Sequence, residues 1–235
     1  IAPIAALALD TVDKSVEPAP SENVMEALTR LPQPRKHYHW YYGQREANGD
    51  MMNAPQGLHA FMRAYYHYKS ADWKGNETFP LAARTAAELA KMPTYYIMNR
   101  DESMAQTVAP YMPSAADIAA CTWMTENEMR VYSGEYARTG FQGGLQWYRA
   151  RMKPEYIAEF ALFAGKTIDV PSAFIAGKSD WGVYQWPGDL EAMRDTLCTR
   201  MTGVHLLDGA GHWVQQEQPA AVSRLLVEFL RANRE

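Results

Sequence analysis

Two loops in the last third of the chain carry residues that can move protons: Asp180 within Gly177-Lys-Ser-Asp-Trp-Gly182, and His212 within Gly209-Ala-Gly-His-Trp213. An imidazole takes up and returns a proton near neutral pH. A carboxylate that accepts its N–H fixes the ring tautomer and stabilises the imidazolium, the task of the second and third members of a nucleophilic triad. The same two residues also fit a structural role, with Asp180 capping a helix that begins near Pro187 and His212 lining a loop. Spacing alone leaves both readings open.

The elements that must position the pair are short. Residues 169–176, Asp-Val-Pro-Ser-Ala-Phe-Ile-Ala, form an apolar run ended by Gly177 and read as a buried strand, with Pro171 near its start where a missing N–H matters least. Pro187 opens a helix to about Cys198, in the first-turn position proline favours. Val204-His-Leu-Leu207 is a second strand, closed by Asp208-Gly-Ala-Gly211. Val222, Leu225, Leu226, Phe229 and Leu230 then make one apolar stripe of a helix. The order strand, helix, strand, helix implies parallel strands joined by a crossover helix, an α/β arrangement in which functional residues sit beyond the carboxyl ends of the strands. Asp180 and His212 both occupy that position. Two parallel strands need covered faces and neighbours on their edges, so the unit makes physical sense as the end of a larger sheet.

Upstream the pattern differs. Residues 1–36 are rich in proline, leaving room for one short helix around Asn23 to Arg30, and read as a connector. Residues 37–151 read as a helical domain without strand alternation, with helices expected at 57–69, 83–91, 104–109, 115–121, 126–139 and 145–151. Residues 152–235 are the α/β unit.

Composition narrows the function. The 235 residues are 47% hydrophobic and 21% charged, as in ordinary globular domains, and a net charge of −4 argues against a nucleic-acid surface. Cys121 and Cys198 have neither disulfide-framework nor zinc-ribbon spacing, which fits a reducing, cytoplasmic setting. The apolar start, Ile1 to Leu9, is too short to span a bilayer, and no membrane segment is read. His37 and His39 alternate as strand-borne metal ligands might, with His59 and His67 downstream, but no carboxylate or cysteine spacing completes a site. No metal or cofactor is expected. The 14 tyrosines and 7 tryptophans make aromatic packing the default role for most of them.

Gly-Ala-Gly-His-Trp-Val-Gln-Gln-Glu-Gln-Pro at 209–219, with the helix that follows, closely resembles the histidine segment of soluble epoxide hydrolases of the α/β-hydrolase superfamily. Phe-Ile-Ala-Gly-Lys-Ser-Asp at 174–180 resembles their acid loop. Thr-Gly-Phe-Gln-Gly-Gly-Leu-Gln-Trp-Tyr-Arg at 139–149 resembles the part of their lid that carries one catalytic tyrosine, which corresponds to Tyr148. His-Tyr-His-Trp-Tyr-Tyr at 37–42 matches the place of the other lid tyrosine, which corresponds to Tyr38, with Tyr41 and Tyr42 as neighbouring alternatives. The resemblance spans most of residues 37–232. It implies a partial α/β-hydrolase fold: a helical lid followed by the last strand-helix-strand-helix unit of the parallel sheet. It also implies a chemistry: an aspartate opens an epoxide to an ester while Tyr38 and Tyr148 hydrogen-bond the ring oxygen, and His212, oriented by Asp180, activates water to release a diol. Trp40, Trp147 and Trp213 flank these residues and are candidates to line an apolar substrate pocket.

One part of the family pattern is absent from the sequence. A nucleophile elbow reads Gly-x-Ser/Asp-x-Gly, and the single glycine pair at that spacing, Gly140 and Gly144, encloses Gln142 in the lid-like region. No His-Gly-x-Pro stretch occurs either. The chain is therefore expected to be a truncated product, a fragment or one part of a split protein, with a missing N-terminal half or self-association as its partner and poor solubility alone. Three readings follow. The parent is an epoxide hydrolase acting on a small apolar epoxide; it is an esterase or haloalkane dehalogenase on the same fold; or the chain is a catalytically inactive truncated fragment.

Overall fold

The structure, a computed structural model, describes residues 23–234. Most of the Pro-rich connector, and the apolar start with it, lies outside the described residues.

Asn23 caps α1 (Val24–Thr29), its side chain accepting the Met25 and Glu26 N–H groups. Leu28 on this helix is fully buried, so the end of the expected connector belongs to the helical core. β1 (Arg35–His37) leads directly into α2 (Tyr38–Gly43), whose first N–H groups are met in part by the His37 ring accepting from His39 N–H at 3.2 Å. Then come α3 (Glu46–Met52), α4 (Leu58–Lys69), α5 (Ala86–Leu89), β2 (Ile97–Asn99), α6 (Met104–Val108) and α7 (Ala115–Ala120). α8 (Glu126–Thr139) and α9 (Gln142–Ala150) complete the helical body. Local sequence starts three of these helices through reciprocal capping boxes: Ser103 with Gln106, Ser114 with Asp117, and Thr125 with Glu128. α8 stops where Gly140 takes a φ of 66°.

The expectation of no strand in this region is corrected. β1 and β2 pair antiparallel, with Lys36 opposite Met98. Each is three residues long, too short for alternation to show, and each exists because the other satisfies its backbone. The α2 and α3 helices were likewise not expected; their aromatic and polar residues gain helical form from packing rather than from a periodic stripe.

After α10 (Pro154–Ala161), β3 (Ser172–Gly177) and β4 (Met201–Leu207) form a parallel pair with Ile175 opposite His205 and Gly177 opposite Leu207. β3 begins three residues later than expected, after Pro171, although Ile168 still makes an isolated bridge to Cys198. The intervening helix begins at Asp189, not at Pro187. Gly188 takes a φ of 85°, which turns the chain before α11 (Asp189–Ala192) starts, and α11 widens into a π turn over Met193–Leu197. After β4 come α12 (Val214–Glu217) and α13 (Pro219–Ala232). Among the described residues, no helix is long and apolar enough to cross a membrane.

Candidate active site

Because β3 and β4 end level with each other, the two loops that follow them lie side by side. Lys178 N–H donates to Leu207 O at 2.9 Å and Ser179 N–H to Ala210 O at 3.0 Å, which ties the loops together. Glycine makes the approach possible: a Cβ on Gly177 would stand 2.1 Å from Gly211 O, and one on Gly211 would stand 2.6 Å from Lys69 O. Three backbone segments, from β3, β4 and the end of α4, therefore meet at one point.

At that point His212 Nδ1 lies 3.1 Å from Asp180 Oδ2. The other carboxylate oxygen accepts the Gly182 N–H at 2.8 Å and the Tyr96 hydroxyl at 3.1 Å. With Nδ1–H given to the carboxylate, Nε2 holds the free lone pair of a base. The structural role considered for Asp180 is present as well, in a different place: it caps the turn Trp181–Val183, not the helix near Pro187. Burial pushes the Asp180 carboxyl up, but the His212 ring, the Gly182 N–H and Lys69 outweigh it and hold the carboxyl at about 2. Burial and then the Lys69 charge push His212 below its ordinary range, against the pull of Asp180. The pair thus rests as a carboxylate beside a neutral imidazole whose side chain keeps 35% of its surface accessible. Such an arrangement can accept a proton from water.

Tyr38 heads α2 and Tyr148 lies on α9, with ring centroids 5.9 Å apart. Neither hydroxyl is engaged in a hydrogen bond with the described residues. The neighbouring alternatives are committed elsewhere: Tyr41 donates to Asp50 Oδ2 and Tyr42 to the Tyr65 hydroxyl, each at 3.1 Å. Tyr38 also stands closer to the pair, its ring 5.0 Å from that of Tyr96, which reaches Asp180. Burial raises both phenols, Tyr148 to about 12, so they are protonated donors across the ordinary pH range.

The three tryptophans separate. Trp213 stacks on Tyr66 at 4.2 Å, donates its indole N–H to Tyr66 O, and sits edge-on to His212 at 4.9 Å. Trp40 and Trp147 are 44% and 53% exposed, and the structure does not bring them to the histidine.

Sequence reasoning missed three residues here. Glu217 accepts the N–H groups of Gly211 and Trp213 at 3.0 Å and of Ala71 at 2.7 Å, pinning the histidine loop to the end of α4. Its place four residues after Trp213 was the available signal. Tyr96 and Lys69 gave none, since only the packing of β2 and α4 brings them to the pair.

The histidine–acid pair lies at the carboxyl ends of adjacent parallel strands, the place where open α/β sheets carry functional residues. No family model matches the chain. It is 42% identical to epoxide hydrolase A of Mycobacterium tuberculosis over 123 residues, 51% of this chain and 35% of that protein. It is 43% identical to an epoxide hydrolase of Caballeronia sordidicola over 110 residues, 47% of this chain and 32% of that protein. Among solved structures, epoxide hydrolase A from Mycobacterium thermoresistibile superposes with a TM-score of 0.60 at 28% identity, covering 84% of this chain and 52% of that one. An epoxide hydrolase from an endophytic Streptomyces, at 23% identity and a TM-score of 0.66 over 88% of this chain and 55% of that one, shows the shared fold. Over about half of its length the chain is similar to epoxide hydrolases, and it shares part of their α/β-hydrolase fold. It spans about a third of the length of the curated relatives it matches.

Proposed function

We propose that the chain carries the lid tyrosines and the histidine–acid pair of an enzyme that opens small apolar epoxides to diols, with the nucleophile supplied from outside these 235 residues. A nucleophilic carboxylate attacks a ring carbon, forming an ester as the ring C–O bond breaks. Tyr38 and Tyr148 both hydrogen-bond the departing oxygen, and one of them gives it a proton and is left as a phenolate. His212 Nε2 then takes a proton from water, the hydroxide attacks the ester carbonyl, and the acyl C–O bond breaks. The leaving alkoxide takes the hydroxide's proton, so the diol departs, the carboxylate is restored, and the proton on His212 returns to the phenolate through solvent. Residues 37–151 act as lid and 152–235 as the end of the core. The 235 residues carry no nucleophile-elbow motif, so the isolated chain is expected to turn over neither epoxide nor ester.

The observation that carries this reading is the 3.1 Å contact of His212 with Asp180 below two tyrosines whose hydroxyls have no hydrogen-bond partner among the described residues. An esterase needs no such pair of phenols. The test is turnover of a small aryl epoxide by the chain joined to an N-terminal α/β-hydrolase half that carries an aspartate at its nucleophile elbow. Tyr148→Phe should lower that turnover by roughly two orders of magnitude or more, the scale for losing one oxyanion donor. Unchanged epoxide turnover in this variant removes Tyr148 from the mechanism, and ester cleavage without epoxide opening transfers the protein to the esterase reading.

A further inference from the structure

Lys69 ends α4 beside the histidine–acid pair, and the residue is 2% exposed. Its Nζ is surrounded by rings: Tyr96 at 4.9 Å from the centroid, Tyr65 at 5.2 Å, Tyr95 at 5.5 Å, Tyr38 at 5.7 Å and Trp213 at 5.8 Å. Among the described residues its one side-chain hydrogen bond runs to the Tyr65 hydroxyl, at 3.4 Å. A buried lysine without a carboxylate in contact is costly, and ring faces repay only part of the lost hydration. The backbone of the same residue is built into the site, since His212 N–H donates to Lys69 O at 2.9 Å. Tyr96 joins the two halves, holding the ammonium against its face while its hydroxyl donates to Asp180.

We propose that Lys69 is a positioning residue for the histidine–acid pair: its caged ammonium keeps Asp180 ionised and His212 in the neutral, proton-accepting form. A positive charge at this place disfavours a second one on the imidazole, whereas Asp180 alone would favour it. The inference rests on the reading of Asp180 and His212 as the proton-handling pair.

The titratable groups that face Lys69 are Tyr38 and, further off, His39 from α2, Tyr65 from α4 itself, Tyr95 and Tyr96 ahead of β2, Asp180 after β3 and His212 after β4; burial keeps His39 neutral. The four phenols are all raised by burial and remain neutral. His212 faces Lys69, Asp180 and Tyr96, with Glu217 on its own loop, and Glu217 is itself raised by burial. Burial lowers Lys69 to about 8, against the pull of Asp180, so the charge that acts on His212 is present below that pH and lost above it.

The test is an NMR titration of the His212 ring nitrogens in the 235-residue chain, with no substrate present. In Lys69→Met the His212 titration should rise by about one pH unit, and Lys69→Arg should return it toward the original value. A His212 titration unmoved in a folded Lys69→Met protein overturns the proposal. If that variant does not fold, the unaltered chain still decides. The His212 ring signals should show a second inflection where the Lys69 Cε signal titrates, and its absence overturns the proposal equally. Epoxide turnover is judged separately: an active enzyme whose His212 ignores Lys69 keeps the proposed function and loses this inference.

Discussion

The helical body and the C-terminal α/β unit contain similarly apolar segments, yet they bury them very differently. Apart from Trp181, every member of the main buried apolar cluster lies between Ala27 and Leu145. Phe61, Tyr68, Tyr95, Ile97 and Met104 sit at 2% exposure or less, and α4 packs against α8 and the segments around it. In the C-terminal unit, Ile157, Leu162 and Phe163 in and after α10 are exposed, as are Leu226 and Leu230 on α13. Short helices can surround one another and close a core. A two-stranded parallel sheet cannot: it is too narrow to cover the apolar stripes of the helices beside it, so an amphipathic stripe forms on schedule and still meets solvent.

The comparison can be broken by substitution. Phe61→Ala should destabilise the chain by about 3–5 kcal/mol in a urea titration, because a fully packed ring leaves a cavity. Acid comes next. The His37 ring is held at about 4 by burial, against an ordinary 6.5, and His39 at about 2 by burial and then the His37 ring. Between these values and 6.5 the unfolded chain binds protons that the folded chain refuses. Stability is therefore complete above pH 6.5 and falls as the pH drops toward 4, by about 3 kcal/mol from His37. Urea midpoints flat from pH 7 to 4 would show that the helical body does not keep these rings neutral.

Gly177→Ala sharpens the contrast from the other side. Its Cβ would meet backbone at Gly211 and Ala210 rather than a yielding side chain, so the two loops must part. A loss of roughly 1–3 kcal/mol is expected, with the His212 signals shifted. Thr125→Ala removes a capping box and should cost about 1 kcal/mol, read as a lower melting temperature. Leu230→Ala, at a position 61% exposed, should change stability by less than about 0.5 kcal/mol. A loss of several kcal/mol there would mean that α13 is covered in solution, by another copy or another segment.

Legibility in the sequence followed the same division. α8 was readable at both ends, since Thr125 and Glu128 form its box and Gly140 its stop; α13 was readable from its stripe. The order β3, helix, β4, helix was readable from apolar runs punctuated by glycine, which also located Asp180 and His212 at the strand ends. β1 and β2 were not, because three-residue strands carry no period of their own. The start of α11 was misread because a proline beside a glycine suits both a helix entry and a turn, and only the left-handed Gly188 selects the turn. For the site, Tyr38 and Tyr148 came from resemblance, and nothing local separated Tyr38 from Tyr41 and Tyr42. In the structure their hydroxyls differ: Asp50 takes that of Tyr41 and Tyr65 that of Tyr42, while that of Tyr38 has no partner among the described residues.

The sequence by itself determined the local signals: caps, stops, strand punctuation, and an acid and a histidine each placed just past a strand. These depend on neighbours a few residues away, where chain order and spatial order coincide. Tertiary structure alone decided which of 14 tyrosines have a hydroxyl without a partner among the described residues, and that Tyr96 shares the acid with His212. It also decided that Lys69 is sealed among five rings beside the pair. Those facts depend on burial and on contacts between residues far apart in the chain. The approach of Gly177 to Gly211, and of Gly211 to Lys69, exists only once β3, β4 and α4 have packed.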